Sequence, residues 1–202
     1  DSFVVHQTGT KAIEKVEALL SHSQKSLNTY HAILMAMLTG FTDPLARYSN
    51  SNAFFNEFGF FNRSSEIFVD AGAYVGDSLE RFIWSVNGVF SAIHAFEPGK
   101  PQFNALQRRV ERLEKEWATN PDTIFLINKG LSCESFKTEL DQEAPLIQTR
   151  LKNKKQIAQK SERRVDSVEV VSLDEYFGGD RFTFLKVDVE GSEAELIDGA
   201  AK

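Results

Sequence analysis

Apolar residues recur at helical spacing through the first forty positions. Ile13, Val16, Leu19 and Leu20 fall on one face, and Tyr30, Ile33, Leu34, Met37 and Leu38 on another. This spacing predicts two helices over 10–38, with Thr10 placed to cap the first. Residues 40–63 then combine turn formers with a concentration of rings: Phe41, Tyr48, Phe54, Phe55, Phe58, Phe60 and Phe61. Two uses for these rings stand side by side. They pack the N-terminal helices onto a sheet, or they form a lid over a substrate pocket.

From residue 66 the period changes. Short apolar runs alternate with helical patterns, which predicts a parallel sheet with helices on its faces. Strand one covers 66–70 and its helix 77–86; strand two covers 89–96 and ends at Glu97-Pro98-Gly99. The next helix is the clearest in the chain, with Pro101 in its first turn. Phe103, Leu106, Val110, Leu113 and Trp117 make its apolar stripe, and Arg108, Arg109, Glu111, Arg112 and Glu114 cover the other side. Strand three spans 123–128. Residues 134–164 are polar and end in a basic stretch, Lys152, Lys154, Lys155, Lys160, Arg163 and Arg164. No aromatics interleave with those charges, so the segment reads as a solvated excursion rather than a nucleic-acid patch. Residues 165–171 predict a further strand, 173–176 a helical turn, 182–188 strand four, and a last helix starts near Ser192.

The predicted division is a helical, Phe-rich extension over 1–65 and an α/β domain over 66–202. Four parallel strands leave the last as an open edge, which is an association hazard. The expectation is therefore a sheet truncated at its C-terminal side, able to form a homo-oligomer through strand four.

The strand over 66–70 ends in a carboxylate, Asp70, and Gly72 and Gly76 frame the turn into the next helix. Strand, acid, glycine turn and helix together build a cofactor crevice at the carboxyl end of a sheet. The dinucleotide fingerprint needs three glycines, and Asp70 stands where the first belongs. A carboxylate there repels a pyrophosphate but tolerates a cationic ligand. S-adenosylmethionine, with an ammonium, a sulfonium and no phosphate, fits that requirement.

Glu97 and Asp188 end two more strands. Glu97 is placed to accept both hydroxyls of a ribose, and Asp188 lies where a methyl donor and its acceptor would meet. Asp70 would face the cationic amino-acid end, and Gly72 and Gly76 let backbone approach closely where a Cβ would collide. Each acid alone reads equally well as a helix cap. Three at the correct strand ends, one joined to a glycine turn, favour a site. Glu190 reads as a helix-start carboxylate or a general base. His94, inside strand two, reads as a packed histidine, and Cys133 as a small buried hydrophobe.

Composition narrows the classes. With 42% apolar residues and 17 Phe among 202 residues, the chain can bury a large core. No apolar run approaches the roughly 18 residues of a membrane span. A net charge of −6 gives no footprint for nucleic acid. One cysteine excludes an internal disulfide and fits a reducing, cytoplasmic setting. No spacing of His, Cys and carboxylates speaks for a metal.

Four segments together resemble the FkbM-type family of class I S-adenosylmethionine-dependent methyltransferases. They are Phe68-Val-Asp-Ala-Gly-Ala-Tyr-Val-Gly76, Ala95-Phe-Glu-Pro98, Val170-Val-Ser-Leu-Asp174 and Leu185-Lys-Val-Asp-Val-Glu-Gly-Ser-Glu193. The resemblance implies a Rossmann-like sheet and O-methylation of a hydroxyl on a sugar, glycan or polyketide-like small molecule. It also implies cofactor contacts at Asp70, Gly72, Tyr74, Gly76, Glu97 and Asp188, with the adenine near Lys129 to Ser132. Asp188 and Glu190 would stand at the methyl-transfer centre. Two rivals remain at this level. Glu97 could equally serve a nicotinamide-dependent oxidoreductase, or the sheet could be a non-catalytic, methyltransferase-like binding domain.

Overall fold

The computed structural model describes residues 7–48, 55, 65–120, 122–139 and 167–201. The chain divides into two compact units, 1–54 and 55–202.

The first unit is a helical hairpin. Helix α1 (Gln7–Leu20) and helix α2 (Gln24–Thr39) precede a 3₁₀ turn, Asp43–Arg47. Thr10 lies inside α1 and caps nothing, because helical structure already begins at Gln7. The cap occurs instead at α2, where the Ser23 hydroxyl accepts the Ser26 N–H at 3.2 Å. Gly40 ends α2 in the left-handed region at φ 72°.

The second unit carries a four-stranded sheet, β1 (Ile67–Ala71), β2 (Ala92–Phe96), β3 (Ile124–Ile127) and a late strand, Phe184–Val187. Two short strands, β4 (Gly130–Leu131) and β5 (Phe136–Glu139), follow β3, then β6 (Ser167–Val171), which makes the late strand β7. The main sheet runs β3-β2-β1-β7, all parallel. This order puts β1 in the middle, where the connections leave in opposite directions. Strand β7 stands at one edge among the described residues.

The strand expected over 165–171 exists as β6 but lies outside the main sheet. It pairs parallel with β4 and antiparallel with β5 in a small three-stranded sheet. Strand β5 falls within 134–164, so the polar excursion begins with ordered structure. The basic residues 152–164 lie outside the described residues.

Helices cover both faces. Helix α3 (Asp77–Ser85) and helix α4 (Lys100–Trp117) bury Leu79, Phe82, Ile83, Phe103, Leu106, Val110 and Leu113 against Phe68, Ile93 and Ala95. Burying each such side chain is worth about 1.5–3 kcal/mol. Phe55 inserts among Phe68, Phe82 and Phe184, with ring centroids 5.7–5.8 Å apart. This one ring of the Phe-rich stretch is used for packing, whereas Phe41 and Tyr48 are exposed. Phe54, Phe58, Phe60 and Phe61 lie outside the described residues.

On the opposite face, Val69, Ala71 and Phe96 pack with Leu131, Val171, Leu173 and Leu196. Helix α5 (Leu173–Phe177) and helix α6 (Glu193–Asp198) contribute the last two. No helix among the described residues is long and apolar enough to cross a membrane.

Candidate active site

The turn after β1 is built from left-handed backbone. Gly72, Tyr74 and Gly76 have φ of 79°, 50° and 84°. Gly72 N–H donates to Phe96 O at 3.1 Å, and Ala73 N–H to the same oxygen at 2.9 Å, which ties the turn to the end of β2. A Cβ on Gly72 would stand 1.9 Å from the backbone oxygen of Asp188. Only glycine satisfies that approach and that φ together. Gly76 faces away from the turn's ligand side, and a Cβ there would meet Leu106 Cδ1 at 2.7 Å.

Glu97, at the tip of β2, is buried, and both its carboxylate oxygens are engaged. Oε2 accepts the Tyr74 N–H at 2.9 Å, and Oε1 accepts the Gly99 N–H at 2.8 Å. Asn128 Nδ2 donates to the carbonyls of Glu97 and Pro98 at 2.8 and 3.1 Å, fixing the tip from the β3 side. A carboxylate offers about four acceptor positions. Two are used by backbone, which holds the group rigidly.

At the end of β7 a lysine organises the floor. Lys186 Nζ donates to Gly72 O at 2.7 Å and lies 3.2 Å from Asp70 Oδ1 and 3.6 Å from Asp188 Oδ2. Asp70 is wholly buried beneath it, and neither of its oxygens accepts a well-aligned hydrogen bond among the described residues. Burial pushes the Asp70 carboxyl up to about 6, against the opposing pull of the Lys186 ammonium.

These parts surround one cleft of about 220 Å³, lined by Gly72, Tyr74, Asp77, Ser78, Phe96, Glu97, Pro98, Lys129, Gly130, Leu131, Lys186, Asp188, Val189 and Glu190. Of the residues expected from sequence, Gly72, Tyr74, Glu97, Asp188 and Glu190 line it together. Asp70 lies under Lys186 rather than on the cleft wall, and Gly76 lies behind the turn on Leu106. Ser132 is buried outside the lining, its N–H donating to Val171 O at 3.2 Å and its carbonyl pressed against Gly199. Its neighbours Lys129 to Leu131 carry the β3-side wall instead.

Lys186, Asp77 and Ser78 were not singled out by sequence. The signal for Lys186 was available: a lysine inside the apolar strand Phe184-Leu-Lys-Val187 needs a buried counter-charge. Tyr74 and Glu190 are non-glycine residues at positive φ, 50° and 54°. Such strain costs on the order of 1–3 kcal/mol and gathers at functional sites.

Two further residues lie outside the cleft: the expected burial of Cys133 fails, and the expected packing of His94 holds. Cys133 is exposed, not buried, because the chain leaves the small sheet after Leu131. His94 points to the opposite face, with Nδ1 3.0 Å from the Tyr176 hydroxyl and its ring stacked on Phe125 at 4.8 Å. Burial lowers its pKa, which favours the neutral ring. Among the described residues no three His, Cys, Asp or Glu side chains gather as a metal site.

The profile of the family described as the Methyltransferase FkbM domain matches residues 70–202. The chain belongs to the FkbM methyltransferase family. The crystal structure of methyltransferase FkbM from Methylobacillus flagellatus KT is similar over 88% of this chain, with a TM-score of 0.66 and 23% identity. That likeness supports the Rossmann-like α/β fold. This chain spans only 40% of that protein's chain. No curated protein shows significant similarity to it.

The FkbM cleft suits the cofactor that this enzyme class employs. Asp77, Glu97, Asp188 and Glu190 make its polar lining predominantly acidic, which disfavours a phosphate and accepts a cation. The absent Cβ at Gly72 lets the turn after β1 close against the Asp188 carbonyl and complete the wall of the cleft.

Proposed function

We propose that this protein is an S-adenosylmethionine-dependent methyltransferase that methylates a hydroxyl oxygen on a sugar, glycan or polyketide-like small molecule. The observation that carries the reading is Glu97. A buried carboxylate at the tip of β2, held by the N–H groups of Tyr74 and Gly99, is preorganised to accept from the two hydroxyls of a ribose. Lys129, Gly130 and Leu131 form the wall against which the adenine would pack.

The bound cofactor supplies an activated methyl group on a sulfonium. The chain's work is then to orient the acceptor and to remove its proton. Orientation alone can account for a large part of such an acceleration. Asp188 and Glu190 are the carboxylates available at the mouth. Asp188 faces Lys186 at 3.6 Å, whereas Glu190 makes no ion pair among the described residues. Glu190 is therefore the base in this reading, a role usually worth about 10²–10⁴-fold.

Calorimetric titration with S-adenosylhomocysteine tests the proposal, on the native chain and on Glu97→Ala. Saturable binding that the variant loses is the expected result. Absence of binding to the native chain, or undiminished binding to the variant, overturns it.

A further inference from the structure

The floor of the cleft is a lysine, and its surroundings define what it can recognise. Lys186 is 10% exposed, enough to reach the cleft and little enough to hold one position. An ammonium has three donors. One is spent on Gly72 O at 2.7 Å, and at most one more is engaged by the ion pair with Asp70 Oδ1 at 3.2 Å, which is not an aligned hydrogen bond. The contact with Asp188 Oδ2, at 3.6 Å, is beyond hydrogen-bond length. One donor thus remains for a ligand.

Asp70 has no opening to the cleft, and its charge is matched by Lys186 directly above it. A cationic group in the cleft therefore meets Lys186 before it meets Asp70. An anionic group meets a positioned, partly desolvated cation. Beside that cation stands Asp188, largely exposed, with the opposite charge. The protein offers a plus–minus pair on one short stretch of β7 and its loop. The complement of such a pair is an α-amino acid zwitterion, with its carboxylate on Lys186 and its ammonium on Asp188.

We infer that Lys186 reads the α-carboxylate of the cofactor's amino-acid end, and that Asp70 is a positioning residue that holds Lys186 in place. This rests on the cofactor proposed above and assigns the recognition of its amino-acid end to this lysine. Asp70 acts through Lys186 rather than on the ligand.

The test uses two ligands: S-adenosylhomocysteine and its analogue lacking the α-carboxylate but keeping the amine. A hydrogen bond to a charged group is worth about tenfold or more in affinity. The native chain should prefer S-adenosylhomocysteine by at least that factor. Lys186→Met alone would strand a buried carboxylate, so the variant compared is Asp70→Asn with Lys186→Met, which keeps the floor neutral. It should bind both ligands about equally, while Asp70→Asn alone should reduce the preference, because Lys186 then loses the partner that positions it.

Equal binding of the two ligands by the native chain overturns the assignment, whatever the variants do. A preference retained by the double variant overturns it too, and a preference left unchanged by Asp70→Asn alone overturns the positioning role of Asp70. Failure of the native chain to bind either ligand overturns the cofactor reading itself, which separates the two failures.

Discussion

Gly72 and Asp188 touch backbone to backbone: a Cβ on the glycine would stand 1.9 Å from the aspartate's carbonyl oxygen. Through this contact the turn after β1 and the loop after β7 form one surface, and the wall of the cleft depends on both. Gly76 is confined differently, by the movable end of Leu106 at 2.7 Å.

The two glycines should therefore respond unequally to alanine. Gly72→Ala drives a Cβ into backbone at a strained φ, and should cost at least about 2–3 kcal/mol together with the loss of S-adenosylhomocysteine binding. Gly76→Ala keeps the strain but meets a side chain that can turn away, and should cost about 1–2 kcal/mol. Urea denaturation of both variants checks the order, which fails if Gly76→Ala is the more damaging.

The carboxylates at the mouth should separate by kinetic parameter. Glu190→Gln should lower kcat by about 10²-fold or more with S-adenosylhomocysteine affinity unchanged, as expected for a base. Asp188→Asn should weaken S-adenosylhomocysteine as well. An equal loss of affinity in the two variants would remove the distinction.

Asp70 gives stability a pH dependence of a definite sign. Its folded-state carboxyl is raised from 3.8 to about 6, so between those values the folded chain keeps a proton that the unfolded chain releases. Its contribution is complete below about pH 4 and declines as pH rises to about 6, on the order of 2–3 kcal/mol in all. Relative to Asp70→Asn, the native chain should thus lose stability across that window. Urea midpoints at pH 4, 5, 6 and 7 measure the difference, and a native chain that gains stability relative to Asp70→Asn as pH rises would contradict the assignment.

His94 acts in the opposite direction. Burial holds its folded-state pKa below the usual value, so its contribution is present above about pH 6.5 and is lost as pH falls. An NMR titration of the imidazole should give a midpoint below that of a free histidine. A midpoint above it would mean that the Tyr176 contact favours the cation.

The residues visible in advance share a property. Asp70, Gly72, Glu97 and Asp188 sit where a strand stops, and strand ends can be found from the apolar pattern alone. The helical stripe of α4 was legible for the same reason, since one face of five residues determines its burial. Sheet membership was not legible. Nothing local to 167–171 says whether it joins β7 or β5, because the choice depends on partners far along the chain. Lys186 escaped because its role exists only after β7 lies beside β1. Cys133 was misplaced because its exposure depends on where a two-residue strand ends.

The sheet order has a kinetic consequence. The Tyr74–Glu97 contact closes 23 residues of chain, whereas the Lys186–Gly72 contact closes 114. The entropy of closing the larger loop is greater by roughly 1.4 kcal/mol, about tenfold in probability. The Glu97 side of the cleft accordingly organises first, within the early βαβ segment. The lysine floor arrives only with β7, which is synthesised later than β1 to β3. A nascent chain that has folded only β1 to β3 holds one wall of the cleft, and any molecule held across both walls would select chains in which β7 has docked.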